Sequence, residues 1–163
     1  MAVFLDRFLF CYMNITKRFK YYYCYTDLQM RIENHLRKIE KLEKSTLKLD
    51  DIEEDYEALV ELYMLISAHY INASLHQLKV LNISMDIKHN KLFSFLKENE
   101  KLGKNTEDIR DLMKKLDDLR PGHVYGSGEN GNTAKKAREY YEKIKENCNS
   151  LLTENERKSA DSN

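Results

Sequence analysis

A long apolar repeat between residues 52 and 80 determines the kind of fold that this chain can adopt. Its members recur at alternating spacings of four and three residues: Ile52, Tyr56, Leu59, Tyr63, Ile66, Tyr70, Ala73, Gln77 and Val80, of which only Gln77 is not apolar. This spacing places the side chains on one face of an α-helix. A second apolar strip runs beside the first, through Leu62, Leu65, Leu75 and Leu78. A helix with two apolar faces belongs at the centre of a bundle, so we predict one long central helix over about residues 52–81.

The rest of the chain also shows helical periodicity. One apolar stripe runs through Leu28, Ile32, Leu36, Ile39 and Leu42, and further stripes follow within residues 87–96, 109–119 and 134–151. The chain has 163 residues and a single proline, and the dipeptide Pro121-Gly122 predicts the end of a helix at Arg120. We therefore predict an all-α fold, a single bundle of about five helices over residues 27–153. A frayed polar tail is expected over residues 154–163.

Residues 1–25 differ from the remainder. They hold nine of the 17 aromatic residues, and they carry four basic residues against one acidic residue. Three interpretations remain open at this stage. The segment is upstream sequence translated from a misplaced start, since Met30 opens the regular region, or an extra strand or helix packed on the core, or a segment that binds a membrane surface or single-stranded bases.

The charge balance and the cysteine content limit which kinds of protein this chain can be. The 27 basic residues balance the 27 acidic ones, which argues against binding of nucleic acid or anionic lipid by the whole chain. The three cysteines, Cys11, Cys24 and Cys148, are widely spaced and form no C-x-x-C pair, so we expect a reducing compartment and a cytoplasmic location. No run of 18 apolar residues occurs, and we expect no transmembrane segment.

Three polar residues on the long helix are candidate binding residues: His69, Asn72 and His76. The two histidines are seven positions apart, which puts them on one face about 10.5 Å apart along the axis. That separation is too large for one metal ion unless a third element lies between them. We expect a polar strip that is solvated or faces a second subunit, and we expect no metal and no cofactor.

Arg120, His123 and Tyr125 are candidate catalytic residues at the end of a helix and in the glycine-rich loop that follows. An arginine could hold a phosphodiester and neutralise developing charge, while a histidine could act as general acid or base. The alternative is structural: Arg120 caps the helix carbonyls, and Tyr125 fixes the loop to the core.

Four segments resemble, in order, elements of HEPN-domain proteins, small helical bundles often partnered with minimal nucleotidyltransferases. They are Tyr70–Leu81 (YINASLHQLKVL), Lys88–Leu96 (KHNKLFSFL), Leu116–Gly126 (LDDLRPGHVYG) and Thr133–Ile144 (TAKKAREYYEKI). The resemblance implies a dimer that forms through the long helices. RNA-cleaving members of the family carry a histidine after four to six residues that follow the arginine, at positions where this chain has Tyr125, Gly126 and Ser127. The resemblance therefore favours a non-catalytic member.

The sequence as a whole predicts a small intracellular interaction module that associates with a second copy or with a helical protein partner. One alternative is an RNA- or nucleotide-directed HEPN-like protein that uses Arg120, His123 and Tyr125 in metal-independent, ribonuclease-like cleavage. Another is a helical adaptor subunit of a larger assembly.

Overall fold

The computed structural model describes residues 32–49, 54–82, 85–99, 102–123 and 131–160, with the backbone alone for residues 121–123, 131 and 154–160. Five α-helices lie within these ranges: α1 (Ile32–Thr46), α2 (Tyr56–Gln77), α3 (His89–Glu98), α4 (Thr106–His123) and α5 (Gly131–Ala160). A short 3-10 turn, Gly103–Asn105, precedes α4, and these ranges contain no strand. The predicted all-α bundle is confirmed. The atypical segment 1–25 lies outside the described residues.

Helix α2 is the centre of the bundle. It contacts each of the other four helices, α5 and α1 most extensively. Its predicted apolar face is buried at Leu59, Tyr63, Ile66, Tyr70 and Ala73, and its other sides are buried at Val60, Met64, Ile71 and Leu75. Each large aliphatic side chain removed from water in this way contributes about 1.5–3 kcal/mol. The central position that two apolar faces predicted is confirmed.

Helix α2 is shorter than the repeat suggested. It has 22 residues, about 33 Å, and residues 50–53 lie outside the described part of the chain. It ends in a Schellman motif, in which the Lys79 amide donates to the His76 carbonyl and the Val80 amide to the Leu75 carbonyl, both at 2.9 Å. Lys79 takes the left-handed conformation that this motif requires, with φ of 55°. The chain then turns away before it reaches the predicted end at residue 81.

Helix α1 presents a different face to the core than its apolar stripe predicts. His35 and Ile39 are buried, whereas Leu36 is 41% exposed. Because successive residues of a helix are rotated by about 100°, a shift of one position replaces a leucine with a histidine on the buried face. The sequence stripe therefore misplaced Leu36 and overlooked His35.

Two predicted helix boundaries differ from the structure. Helix α4 passes through Pro121 and Gly122 and ends at His123. Proline lacks the amide that would bond back to the Asp117 carbonyl, but its fixed φ is compatible with a helix, so a short continuation is allowed. Helix α5 extends to Ala160, well into the predicted tail, because residues 154–160 include several good helix formers and no glycine or proline.

Candidate functional site

Three histidines and one aspartate from separate parts of the chain meet beside α2. This histidine cluster consists of His35 on α1, His69 and His76 on α2, and Asp86 in the connection between α2 and α3. Asp86 Oδ1 lies 2.8 Å from His76 Nε2 and 3.2 Å from His35 Nε2. His35 Nδ1 lies 3.0 Å from His69 Nδ1. The cluster thus joins α1 to α2 and to the connection that follows α2.

His35 lies between the two histidines that the sequence placed two turns apart. Its ring centroid is 5.3 Å from that of His69 and 5.5 Å from that of His76. His76 is buried, and His69 is half-buried against α1. The two histidines therefore do not form a solvated strip, and the expectation that they face a second subunit stays a prediction. The spacing of His69 and His76 on one helix requires a third element between them, and His35 of α1 supplies it.

Asn72, the third predicted binding residue, is a buried anchor for the connection. Its side-chain amide donates to the Ile87 carbonyl at 2.9 Å, and its carbonyl oxygen accepts from the Ile87 amide at 2.8 Å. It also donates to the Ala68 carbonyl at 3.0 Å. This pairing fixes the backbone next to Asp86. Asn72 therefore holds the aspartate beside His35 and His76, and it lies 4% exposed in the interior.

Burial controls the electrostatics of the histidine cluster. Burial lowers the pKa of His69 to about 4, with His35 and Lys38 acting in the same direction and the Asp86 carboxylate opposing them. His69 is therefore neutral at pH 7, and one nitrogen of the His35–His69 pair donates to the other. Nδ1 of His76 is buried and has no hydrogen-bond partner among the described residues.

The ligand atoms of His35, His76 and Asp86 all lie within 4.8 Å of one another. Imidazole nitrogen and carboxylate oxygen are ligands that divalent transition metals accept together. Sequence analysis overlooked His35 and Asp86 as partners of His76. The sequence offers one indication that His35 is buried, because His35 precedes the buried Ile39 by one helical turn and so lies on the same face. No spacing rule connects Asp86 to His35, which lies 51 residues earlier on α1.

Arg120, the predicted phosphate ligand, is held in an ion-pair network. Its Nε donates to Glu61 at 2.8 Å and its Nη1 to Asp117 at 3.2 Å, and its side chain is 17% exposed. Burial acts to lower the pKa of the guanidinium, but the hydrogen bonds to both carboxylates outweigh it and raise the pKa above its usual value. His123 ends α4 and Tyr125 lies outside the described residues. The grouping of Arg120, His123 and Tyr125 therefore stays a prediction.

A groove of about 460 Å³ opens between α1, α2 and α5. On its floor, Glu43 accepts hydrogen bonds from Tyr70, Tyr141 and Lys145. We call these four residues the Glu43 cluster. Apolar side chains on the groove wall are Leu47, Leu49, Leu59 and Tyr63.

The lining of this groove carries apolar, basic and acidic side chains, the acidic ones at Glu43 and Glu142. Leu47 is 79% exposed, the most exposed large apolar side chain in the described part of the chain. Lys135 and Arg138 line the opposite side, on α5, and neither forms an ion pair with another described residue. The groove thus combines an unburied leucine with two cations that have no carboxylate partner in the described ranges.

Comparison with known proteins assigns no family. No family model matches the chain, and neither a curated protein nor a solved structure is significantly similar to it.

Among the described residues, no helix combines the length and the apolar character needed to cross a membrane.

Proposed function

We propose that this chain is a non-catalytic helical interaction module, HEPN-like in type and cytoplasmic, that associates with a second copy of itself. The observation that carries the proposal is the groove between α1, α2 and α5, with the exposed Leu47 on its rim. An exposed leucine beside an apolar wall is a feature of protein–protein contact surfaces.

A second copy suits this groove because the surface is self-complementary. In a two-fold dimer the same patch contacts itself, so Leu47 of each copy can enter the groove of the other. The groove also carries both signs of charge. Glu43 and Glu142 line it together with Lys135 and Arg138.

The Arg120 network supports the non-catalytic part of the proposal. A catalytic arginine must offer its donors to a phosphate, whereas Arg120 already donates to Glu61 and Asp117. Releasing them would leave two carboxylates without their partner. The network fits a structural role in which Arg120 ties α4 to α2.

RNA binding is a second candidate, favoured by Lys135 and Arg138. These cations line a groove that also contains Tyr63, stacked on Tyr141 with ring centroids 5.1 Å apart. Cations beside aromatic rings are typical of surfaces that bind single-stranded nucleic acid. Both tyrosines are buried, which limits stacking with bases and ranks this candidate below self-association.

Sedimentation velocity over a range of protein concentrations tests the proposal. We expect a reversible dimer, weakened at least tenfold by Leu47→Glu and by Arg138→Glu. The matched controls are Leu36→Glu, an exposed leucine of α1 outside the groove, and Lys97→Glu, an exposed cation on α3; both should leave the dimer intact. A chain that stays monomeric at every concentration contradicts self-association.

Binding and cleavage assays with labelled single-stranded RNA distinguish the RNA-directed function from self-association. Binding that is lost in Arg138→Glu and kept in Lys97→Glu would favour the RNA-directed function. Cleavage that disappears in Arg120→Ala would contradict the non-catalytic assignment. We expect neither binding nor cleavage.

A further inference from the structure

We infer that His35, His76 and Asp86 form a binding site for a divalent transition-metal ion of the Zn²⁺ type. The site lies in the histidine cluster, and its ligands come from α1, α2 and the α2–α3 connection. None of the three ligands lines the groove between α1, α2 and α5. The inferred metal site is therefore independent of self-association, and a test of one is not a test of the other.

The distances suit an ion of this size. Zinc binds imidazole nitrogen and carboxylate oxygen at about 2.0–2.2 Å, so neighbouring ligands of a tetrahedral ion lie about 3.3 Å apart. Asp86 Oδ1 lies 3.2 Å from His35 Nε2 and 2.8 Å from His76 Nε2, and the whole set lies within 4.8 Å. Small rotations of the three side chains are enough to open the space for an ion among them.

The surroundings allow an ion to enter and to keep one position open. His35 and His76 are buried, whereas the Asp86 side chain is 33% exposed. An ion can therefore reach the histidines from solvent past the carboxylate. Three protein ligands leave a fourth tetrahedral position for water, on the side where Asp86 meets solvent.

His69 is a positioning residue for this site. When His35 binds an ion through Nε2, its Nδ1 carries the proton and donates to His69 Nδ1, 3.0 Å away. Such a second hydrogen bond fixes the tautomer and the orientation of a metal-binding imidazole. On the other side, the pairing of Asn72 with Ile87 fixes the backbone beside Asp86. These hydrogen bonds hold the His35 ring and the Asp86 backbone near the positions that an ion requires.

The same atoms could instead form a hydrogen-bond network with no affinity for metal, and titration of the full-length chain decides between the two. The chain is treated with chelator, and Zn²⁺ is added in a calorimeter. Co²⁺ is added in a parallel experiment that follows its visible absorption. We expect one ion per chain and a Co²⁺ spectrum of four-coordinate type. Zinc should also raise the midpoint of thermal unfolding, since an ion that binds only the folded state stabilises it.

Variants locate the ion. Asp86→Asn and His76→Gln should weaken binding at least 100-fold, and His69→Gln should weaken it about 10–100-fold without a change in the number of ions bound. Far-UV circular dichroism checks that each variant is folded, and Asp86→Asn is the conservative change at a solvent-exposed position. His89→Gln removes a histidine outside the cluster, and Cys11→Ser with Cys24→Ser removes the thiols near the N-terminus. Both controls should bind as the native chain does.

Three results would overturn the inference. The native chain could fail to bind Zn²⁺ at micromolar concentration. Binding could persist unchanged in folded Asp86→Asn and His76→Gln. Binding could disappear in the cysteine variant, which would place the ion on thiols.

Discussion

Glu43 receives hydrogen bonds from two helices other than its own. Burial raises the pKa of its carboxyl, but hydrogen bonds from Tyr141, Lys145 and Tyr70 outweigh burial, and the net pKa lies below its usual value. A carboxyl with a depressed pKa in the folded state stabilises the fold above its unfolded pKa. That stability is lost as the pH falls below about 4.5 and through the folded pKa.

We therefore expect Glu43→Gln to lower the free energy of unfolding at pH 7 by about 1–3 kcal/mol, because charge-assisted hydrogen bonds become neutral ones. The same variant should lose less stability than the native chain between pH 7 and pH 3. Urea denaturation at both pH values measures this, with the exposed Glu33→Gln as control. An unchanged acid dependence in Glu43→Gln would show that the Glu43 cluster does not stabilise the bundle.

At the scale of a helix, the end of α2 depends on one residue in an unusual conformation. Lys79 has φ of 55°, a region that costs a residue with a side chain about 1–2 kcal/mol and costs glycine little. Glycine also makes the unfolded chain more flexible, which offsets part of the gain. We expect Lys79→Gly to raise the free energy of unfolding by about 0.5–1 kcal/mol.

The matched control makes the same change inside a regular helix. Lys97 lies in the last turn of α3, where glycine is unfavourable, so Lys97→Gly should lower stability by about 0.5–1 kcal/mol. Chemical denaturation of both variants gives the comparison. A loss of stability in Lys79→Gly would mean that the end of α2 is formed differently.

Sequence patterns predicted whole helices better than the candidate sites. The stripes of α2, α4 and α5 are buried as predicted because each stripe is long and nearly all apolar, as at Ile109, Met113 and Leu116 of α4. The stripe of α1 misled although all its members are apolar, because packing against α2 buries His35 and leaves Leu36 exposed. The histidine cluster joins residues up to 51 positions apart, and such proximity depends on tertiary packing, which periodicity does not encode.

At the scale of the whole molecule, helix α2 contributes a residue to each polar cluster described above. Helix α2 carries His69 and His76 of the histidine cluster, Tyr70 of the Glu43 cluster, and Glu61, which pairs with Arg120. Its apolar side chains from Leu59 to Leu75 are mostly buried, and it contacts all four other helices. The account therefore depends on α2 as a single continuous helix enclosed by its neighbours.

Native-state hydrogen exchange of the full-length chain, read amide by amide, tests this central position most directly. Amides from Val60 to Leu75 should exchange only through global unfolding and be the slowest in the protein, because opening α2 disrupts contacts with all four other helices. Amides of α1, which packs mainly against α2, should exchange faster. If amides in the middle of α2 exchange through local opening, faster than those of α5, the central helix is not the core of this fold.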